Sequence, residues 1–492
     1  MPERCAAAAR RTGTAAFLSP GNVVQTEMKR DDKQKSSRFD YAMLGTIFTL
    51  AWPTMLEQLT QTAVQYIDTA MVGSLGTQAT AAVGATGTVN WMIGSIVSAV
   101  GVGFLAYIAR CIGAGRQDDA RRASGQALMA ALVIGTLLTV LTVFAAKQVP
   151  VWMQVDPEIR ETASRYFLII YLPMLFRAAS ILFGTVLRSA GDTRTPMRIG
   201  LTVNGINVLL NFLLIYPART LTVLNLSVPV PGAGMGVEGA AWASAASFIY
   251  GGAAMTRALW KHPSVSPRGQ RLRPDPEILR PCFRVALPNL AQRFATSFGY
   301  VVFASMINAL GGVSTAAHTI ANTVESAFYI PGWGMQTAAA TLSGNAYGAK
   351  DHYRLKRLGS TILPLEIGLM IVSGGLLFIF AEPLVRIFSR DENVIRLGTT
   401  VLRMVAVSEP FYGVPIVVEG LMQGVGKTTA PFVYNVVGMW AIRILGTFIC
   451  TRLLGLGLVA AWGCMIGHNL LLFGLFVYHY CSGRWDPFIR KS

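Results

Sequence analysis

Residues 52–76 read WPTMLEQLTQTAVQYIDTAMVGSLG, and this stretch decides the fold class. It lies within an apolar segment near 44–72 that is long enough to cross a bilayer as a helix, which takes about 20 residues. Four polar side chains interrupt the segment at spacings of four, four and three residues: Glu57, Gln61, Gln65 and Asp68. Those spacings place all four on one helical face. A carboxylate at the bilayer centre costs about 3 kcal/mol, so this face is predicted to meet a cavity or polar neighbours.

The composition of the whole chain is typical of a membrane protein. Of the 492 residues, 52% are hydrophobic and only 14% are charged, and the mean hydropathy is +0.47. A soluble protein needs far more charge to cover its surface. The net charge of +17 would favour a nucleic-acid partner in a soluble protein, but here Lys and Arg avoid the apolar stretches. We therefore expect a lipid bilayer, and no nucleic acid, as the partner.

Neither a metal centre nor a nucleotide-hydrolysing site is predicted. The six cysteines are scattered without a CxxC pair, and the chain has only five histidines. The stretch GVGKTTAP at 424–431 ends like a phosphate-binding loop, but that motif needs a Gly where this chain has Leu421. A tight glycine turn between helices explains it better. We predict that the protein is not an enzyme and binds no cofactor.

Apolar stretches of sufficient length recur along the chain and predict twelve transmembrane spans, numbered 1 to 12 in chain order. Spans 1 to 6 lie near 44–72, 79–107, 124–146, 163–186, 197–216 and 236–258. Spans 7 to 12 lie near 285–309, 315–342, 358–381, 396–421, 431–452 and 458–480. The spans are predicted to be helices, because single strands would leave their backbone groups unpaired in lipid.

The placement of the cations predicts the orientation. With both termini inside, 30 Lys and Arg residues fall in cytoplasmic segments, 8 in external loops and four within spans. Those four are Arg177, Arg293, Arg403 and Arg443. Because cytoplasmic loops are enriched in Lys and Arg, both termini are predicted to be cytoplasmic. Residues 1–40 are polar, basic and aperiodic, which predicts a disordered arm, and 481–492 are predicted to form a cytoplasmic tail.

An internal repeat divides the spans into two halves. A shift of 235 residues, which becomes 220 after an insertion near 219–234, aligns one half with the other. Matched pairs include Pro53 with Pro288, Gly191 with Gly426, and Trp242 with Trp462. Six spans per half imply the same orientation for both halves and an axis along the membrane normal. We predict an all-α integral membrane protein with two homologous six-helix bundles, 41–258 and 281–480, around a central cavity and joined by a cytoplasmic linker, 259–280.

Several motifs resemble those of the multidrug and toxic compound extrusion (MATE) family over residues 41–480. The first half carries WPTMLEQLTQTAVQYIDTAMVGSLG, ARCIGAGRQDDARR, VLRSAGDTRTP and GVEGAAWAS. The second half carries AAHTIA, GNAYGAKD, GLMQGVGKTTAP and LVAAWG. The resemblance implies a twelve-helix antiporter that expels organic cations in exchange for Na⁺ or H⁺. We expect a monomer in the bacterial inner membrane, with small organic cations as its transported partners.

The same resemblance implies a coupling-ion site in the first half. Members with such a site bind a cation between an Asp in span 1 and polar residues in spans 5 and 6. The matching positions here are Asp68, Asn207, Asn211 and Ser244. Asn211 replaces a second Asp found in some members, which leaves the choice of Na⁺ or H⁺ open. From the residues alone, the polar face of span 1 and the asparagines of span 5 also fit a structural hydrogen-bond seam between helices.

In the second half the resemblance is weaker at the site. One branch of the family has a Glu where this chain has Thr296 and an Asp where it has Tyr412, so the ion site of that branch is not expected here. Carboxylates predicted to line the cavity or attract a cationic substrate are Glu57, Glu325, Glu409 and Glu419, together with Gln61 and Gln65. The intramembrane arginines could equally neutralise the second-half carboxylates as structural pairs.

A second function stays open from the sequence. A flippase of lipid-linked oligosaccharides or related polyprenyl-linked precursors belongs to the same superfamily, and such proteins carry more basic residues in the cavity. The four intramembrane arginines keep this alternative in view. A net acidic cavity would favour export of cations, and a net basic one would favour the flippase. A passive channel predicts neither a buried ionisable site nor a duplicated two-bundle design.

Overall fold

The computed structural model describes residues 41–153, 155–223, 226–270 and 272–489. The predicted disordered arm, 1–40, lies outside the described residues, as do the last three residues of the predicted tail. Within the described ranges the chain is almost entirely helical, as predicted from its apolar stretches. The helices are labelled α1 to α16 in chain order below.

The first half contains eight helices and one hairpin. Their bounds are α1 Tyr41–Gly73, α2 Thr77–Gly113, α3 Gln117–Ala145, α4 Val149–Trp152, α5 Arg160–Tyr171, α6 Met174–Ser189, α7 Arg194–Leu214 and α8 Gly236–Lys261. Each of predicted spans 1 to 6 coincides with one of these helices, except that span 4 is split between α5 and α6. The two parts meet at an angle of 48°, where Pro173 stands as the N-cap of α6 and cannot donate a backbone hydrogen bond.

The insertion near 219–234 forms structure of its own. Strands β1 (Pro217–Val223) and β2 (Leu226–Ala233) pair antiparallel between α7 and α8. This hairpin occupies the point at which the repeat shift changes from 235 to 220. The sequence indicated an insertion here, and the structure shows that it forms a two-stranded ribbon.

The second half begins at Pro276, within the last residues of the predicted linker, and has the same order of spans. Its elements are α9 Pro276–Asn308, α10 Gly312–Phe328, α11 Ile330–Gly348, α12 His352–Phe388, α13 Glu392–Gly424, α14 Thr429–Val437, α15 Leu445–Phe448 and α16 Leu458–Cys481. Two π-helical segments, Gly438–Ile444 and Ile449–Leu453, flank α15 and complete span 11. Span 8 is built from α10 and α11, which meet at Tyr329.

Seven helices of the described residues are long and apolar enough to cross a membrane, and the bent α5–α6 pair makes an eighth. The other predicted spans coincide with helices whose apolar runs are interrupted by polar residues, as α1 is by Glu57 and Asp68. The protein is thus a multi-pass membrane protein, and its helices fall in the twelve predicted places.

The two halves touch closely where α2 and α11 end. A Cβ atom on Gly113 of α2 would collide with the backbone of Asn345, and one on Gly348 of α11 would collide with the backbone of Arg110. Only glycine permits this separation of the two helices. These ends lie on the predicted cytoplasmic side, so in this conformation the halves are packed together on that side.

The predicted linker packs against the first half. Arg121 of α3 donates to the carbonyl of Pro263 at 2.8 Å, and the Gln126 amide donates to the carbonyl of Arg273 at 2.7 Å. Val265 is completely buried. The linker between α8 and α9 is therefore held on α3 rather than looping freely.

Candidate functional site

Three helices of the first half bring the four predicted coupling-ion residues together. Asp68 comes from α1, Asn207 and Asn211 from α7, and Ser244 from α8. The Asn211 amide nitrogen donates to Asp68 Oδ1 at 2.6 Å, and the Asn207 side chain lies 3.2 Å from Ser244 Oγ. Asn211 is 1% exposed and Asn207 is 7% exposed, while Asp68 and Ser244 are half-buried. One carboxylate thus lies at the edge of a buried set of neutral polar groups.

The Asn207 amide has two hydrogen-bonding orientations. In one, its oxygen accepts from Asn211 Nδ2 at 3.1 Å and its nitrogen donates to Ser244 Oγ. In the other, its nitrogen lies 2.9 and 3.1 Å from the two carboxylate oxygens of Asp68 and donates to both, while Ser244 Oγ donates to its oxygen. The second orientation suits an ionised Asp68, because it replaces an oxygen facing a carboxylate by a donor. The first brings another oxygen toward Asp68 and suits a bound cation or proton.

A buried oxygen in the cluster has no hydrogen-bond partner within the described residues. It is Asn211 Oδ1, which belongs to the amide whose nitrogen donates to Asp68. An unpaired buried acceptor costs free energy. Carboxylate, amide and hydroxyl oxygens are also the ligands that hard cations prefer. The cluster therefore offers a small cation up to five oxygens if the two amides turn.

The remaining polar residues of α1 lie apart from this cluster. Glu57 is held by Arg188, whose Nη2 donates to Glu57 Oε2 at 2.6 Å. The side chains of Gln61 and Gln65 are exposed on the protein surface. Sequence reasoning predicted the polar face correctly as one helical face, but it missed the arginine at the end of α6 as the partner of Glu57. The predicted role of Glu57 toward a substrate stays a prediction.

Of the second-half carboxylates, Glu419 is fully engaged. It accepts from the side-chain amides of Gln292 at 3.0 Å, Gln423 at 3.0 Å and Asn435 at 3.2 Å. Glu325 and Glu409 are buried, at 8% and 1% exposure. Neither Glu409 oxygen has a hydrogen-bond partner among the described residues. Glu325 and Glu409 lie close enough to interact electrostatically, whereas Glu419 is held separately by its three amide donors.

A further buried carboxyl, Glu366, was missed by the sequence analysis. It lies in α12, is 0% exposed, and neither oxygen has a hydrogen-bond partner in the described part of the chain. Its Oε1 fits against two glycines: a Cβ on Gly332 would lie 3.1 Å from it, and one on Gly413 2.7 Å. An isolated carboxylate in an apolar span is a sequence signal for function by itself, and that signal was available in the stretch TILPLEIGLM.

The four intramembrane arginines have separate partners. Arg177 lies over the ring of Phe248 at 4.9 Å, and Arg403 over that of Phe378 at 5.7 Å. Arg293 donates to Asn289 Oδ1 at 3.0 Å. Arg443, 4% exposed, lies over the rings of Tyr300 and Phe303 at 4.7 and 4.4 Å. No two of the four share a partner in these contacts, so they do not build one basic surface.

A hydrogen bond also joins the two halves near the C-terminal end of α1. The Tyr66 hydroxyl donates to the carbonyl of Thr323 at 2.8 Å and lies 3.2 Å from Ser326 Oγ. Both partners belong to α10 of the second half. Tyr66 is two residues before Asp68, so the helix that carries the carboxylate also carries this contact between the halves.

A model of the MatE family matches the chain twice, at residues 53–213 and 288–449. The two matches start 235 residues apart, which is the shift found in the internal repeat. The chain is 28% identical over 446 residues to a probable multidrug resistance protein NorM of Thermotoga maritima, covering 89% of this chain and 92% of that protein.

Two solved structures have the same fold. One, described as MATE in complex with MaL6, has a TM-score of 0.81 at 21% identity and covers 89% of this chain and 95% of that one. The other is a transporter of the MOP superfamily from Pyrococcus furiosus, whose reverse polarity of the binding pocket is said to suggest a different function. Its TM-score is 0.79 at 22% identity, with 89% and 95% coverage. With both halves matched by the family model, the chain belongs to the MatE family, the multidrug and toxic compound extrusion transporters.

Proposed function

We propose that this transporter is a secondary antiporter that exports small organic cations in exchange for Na⁺ or H⁺ by alternating access. It would act as a monomer in the bacterial inner membrane, with both termini in the cytoplasm. The observation that carries the proposal is the cluster in which Asn211 donates to Asp68 at 2.6 Å. This cluster places a carboxylate with buried neutral oxygens inside a membrane protein, where an ion can be held and released.

Ion binding at Asp68 requires the amides around it to turn. As the structure stands, Asn211 donates to the carboxylate and its own oxygen is unpaired. An arriving cation binds Asp68 and attracts the Asn211 and Asn207 oxygens, so that these oxygens face the ion and the Asn211 nitrogen no longer donates to the carboxylate. A proton on Asp68 has a related effect, because the protonated acid donates to an amide oxygen. Both ions fit the chemistry of the cluster.

The turn of the amides would be coupled to the halves through α1. Asp68 and the inter-half contact of Tyr66 share this helix, two residues apart. A change in how α1 packs against α7 therefore alters the contact with α10 as well. An ion shifts the equilibrium between two conformations only by the difference of its affinity for them. We infer that ion binding favours the state in which the Tyr66 contact is rearranged.

The flippase alternative receives no support from the arginines. It depends on a basic cavity, and the four intramembrane arginines are held at separate places by rings, an asparagine and a methionine sulfur. For the Pyrococcus furiosus transporter, a reverse polarity of the binding pocket is said to suggest a different function.

Transport of a fluorescent cationic dye into inside-out vesicles tests the proposal. A Na⁺ gradient and a proton gradient are imposed separately on vesicles with the wild-type chain, with Asp68→Asn, or with no transporter. We expect one of the gradients to drive accumulation by the wild-type protein, and Asp68→Asn to fall to the level of empty vesicles, because the amide keeps the size of the side chain but removes the charge.

The matched control is Asp118→Asn. Asp118 is exposed and pairs only loosely with Arg121, at 3.7 Å, so this variant should transport like the wild type. Full gradient-driven transport by Asp68→Asn at normal expression would show that the carboxylate is structural and would remove the basis of the proposal.

A further inference from the structure

A pocket of about 950 Å³ lies at the opposite end of the molecule from the hairpin. It opens where α2 ends, α9 begins, the turn joins α13 to α14, and α16 ends. Six of its lining residues are basic: Arg110, Arg280, Arg284, Lys427, His479 and Arg484. All of them belong to the predicted cytoplasmic side. The lining residues include no Asp or Glu.

Two neighbouring cations on the same side pair with carboxylates, whereas three arginines of the pocket do not. Arg122 pairs with Asp275 at 2.6 Å, and Arg116 pairs with Asp119 at 3.2 Å. In the described part of the chain no carboxylate lies within ion-pair distance of Arg110, Arg280 or Arg284. The enrichment of cations on the cytoplasmic side explains their presence. It does not explain their arrangement around a concave space that lacks carboxylates.

Several side chains that line the pocket are held in place by hydrogen bonds and by a contact with an aromatic ring. The Arg110 Nε donates to the carbonyl of Ala106 at 3.1 Å, and its guanidinium lies 5.5 Å from the centre of the Tyr347 ring. That guanidinium also packs on Gly426, where φ is +79° and an added Cβ would meet it. Lys427 donates to the carbonyl of Arg484 at 2.7 Å, which ties the turn to the end of α16.

A buried ring nitrogen adds a polar group without a partner. His479 is 8% exposed, and its Nδ1 lies 3.0 Å from the Tyr434 hydroxyl. Its Nε2 has no hydrogen-bond partner among the described residues, and the side chain lines the pocket. A buried polar atom of this kind is normally satisfied, so a ligand that enters the pocket gains a hydrogen bond there.

We propose that this pocket binds the phosphate group of an anionic phospholipid from the leaflet on that side of the membrane. A phosphate diester offers several acceptor oxygens and a negative charge, which suit guanidinium groups and a neutral imidazole. Basic pockets between transmembrane helices on the cytoplasmic side are known recognition sites for lipid headgroups. The pocket lies near the ends of the spans, at the depth of the headgroups, so the lipid is available at high local concentration.

Such a lipid would connect the two halves. Arg110 belongs to α2 of the first half, whereas Arg280, Arg284 and Lys427 belong to the second. Arg110 is also where Gly348 of α11 approaches α2. The headgroup therefore stabilises the conformation in which the halves are packed together on this side, because only that conformation brings all the cations to one pocket.

The experiment uses the purified full chain in a neutral detergent, with short-chain phosphatidylglycerol as the probe. Thermal stability is measured against lipid concentration, with short-chain phosphatidylcholine and soluble glycerol 3-phosphate as comparison ligands. We expect phosphatidylglycerol to stabilise the wild-type protein. In Arg280→Gln/Arg284→Gln its apparent affinity should fall by about 30-fold, given the usual contribution of each cation at a membrane surface.

A control and a rescue variant separate a built site from general surface charge. Arg268→Gln/Arg273→Gln removes two exposed cations of the predicted linker and should bind phosphatidylglycerol like the wild type. Arg280→Lys/Arg284→Lys keeps the charge and should retain most of the binding even if the glutamine variant folds poorly. Equal losses in the pocket and control variants would overturn the proposal. Equal stabilisation by glycerol 3-phosphate and phosphatidylglycerol would assign the pocket to a soluble phosphate instead and would overturn the lipid assignment.

Discussion

The two halves share a fold, yet the region of the proposed ion site contains a carboxylate in the first half and a guanidinium in the second. The repeat shift places Phe303 where the first half has Asp68, and it places Ile442, Gly446 and Cys464 where the first half has Asn207, Asn211 and Ser244. The packing is comparable, because a Cβ on Gly446 would lie 3.2 Å from Cys464 Sγ. Beside Phe303 lies a cation of the protein itself, since the Arg443 guanidinium is 4.4 Å from its ring centre.

The difference indicates that two bundles with the same fold carry different charges at equivalent positions. In the first half, the proposed site combines a carboxylate with neutral oxygens, a set of ligands that would allow a cation to bind and leave. In the second half a guanidinium that never leaves occupies the equivalent region and rests on aromatic rings, a contact that gains strength away from water. We infer that only the first half exchanges an ion, and that the second half provides a fixed counterpart.

Removing one neutral ligand from the first half should have the largest effect after Asp68→Asn. In Asn211→Ala the donor to Asp68 and the unpaired oxygen both disappear. The hydrogen bond to Asp68 belongs to the ion-free state, so any loss of ion affinity comes from the missing oxygen ligand. We expect the apparent affinity for the coupling ion to fall about tenfold, a change of about 1.4 kcal/mol. The dependence of dye transport on ion concentration measures this shift.

Asn204→Ala is the matched control for that substitution. Asn204 lies on the same helix but lines a mostly apolar groove between α1 and α7, away from the cluster. Its ion dependence should equal that of the wild type. If both alanine variants shift alike, the asparagines act through the stability of α7 and not through the ion.

Removing the fixed cation should affect stability more than ion dependence. In Arg443→Gln the contacts with Tyr300 and Phe303 are lost from a residue that is 4% exposed. A desolvated cation–π contact contributes about 2 kcal/mol, so the melting temperature should fall by several degrees while the ion dependence of transport is retained. Arg403→Gln, an exposed arginine over Phe378, should change the melting temperature much less. A changed ion dependence in Arg443→Gln alone would mean that the second half takes part in ion exchange.

The fold was predictable from the sequence because the bilayer permits so few structures. Every predicted span is helical, either as one helix or, in spans 4, 8 and 11, as consecutive helical segments, since a span in lipid must pair its own backbone groups. The π-helical segments of span 11 were not predictable in this way. Their repeat partner, α7, is a regular helix, so the difference arises from packing around residues such as Gly438, against which the His468 ring lies.

The first-half cluster was predictable because its residues follow a family pattern, and the structure brings Asp68, Asn207, Asn211 and Ser244 together. The partner of Glu57 was not, because Arg188 follows it by 131 residues and no spacing rule connects them. Glu366 was missed although the sequence carries a signal, a lone carboxylate in the apolar stretch TILPLEIGLM. Its burial without a hydrogen-bond partner among the described residues is visible only in the structure.

The buried second-half carboxyls should tolerate neutral replacement. An ionised carboxylate without a donor is costly in such a place, so Glu366 and Glu409 are suited to the uncharged acid. Glu366→Gln and Glu409→Gln should therefore keep gradient-driven transport within about threefold of wild type, a change under 1 kcal/mol. Loss of transport as complete as in Asp68→Asn, in protein that is still folded, would show that the second half carries a coupled proton.

The smallest effects are expected at the two positions where another branch of the family has acidic residues. The Thr296 hydroxyl donates to carbonyls of its own helix, at 2.8 and 3.2 Å, and Tyr412 packs edge-on against Tyr329 with ring centres 5.8 Å apart. Thr296→Ala and Tyr412→Phe remove a hydroxyl each and leave this packing in place, so the ion dependence of dye transport should equal that of the wild type. Since neither side chain carries a charge, neither can hold the coupling ion as Asp68 does. If either variant stays folded but loses gradient-driven transport, the ion site extends into the second half and the contrast between the halves fails.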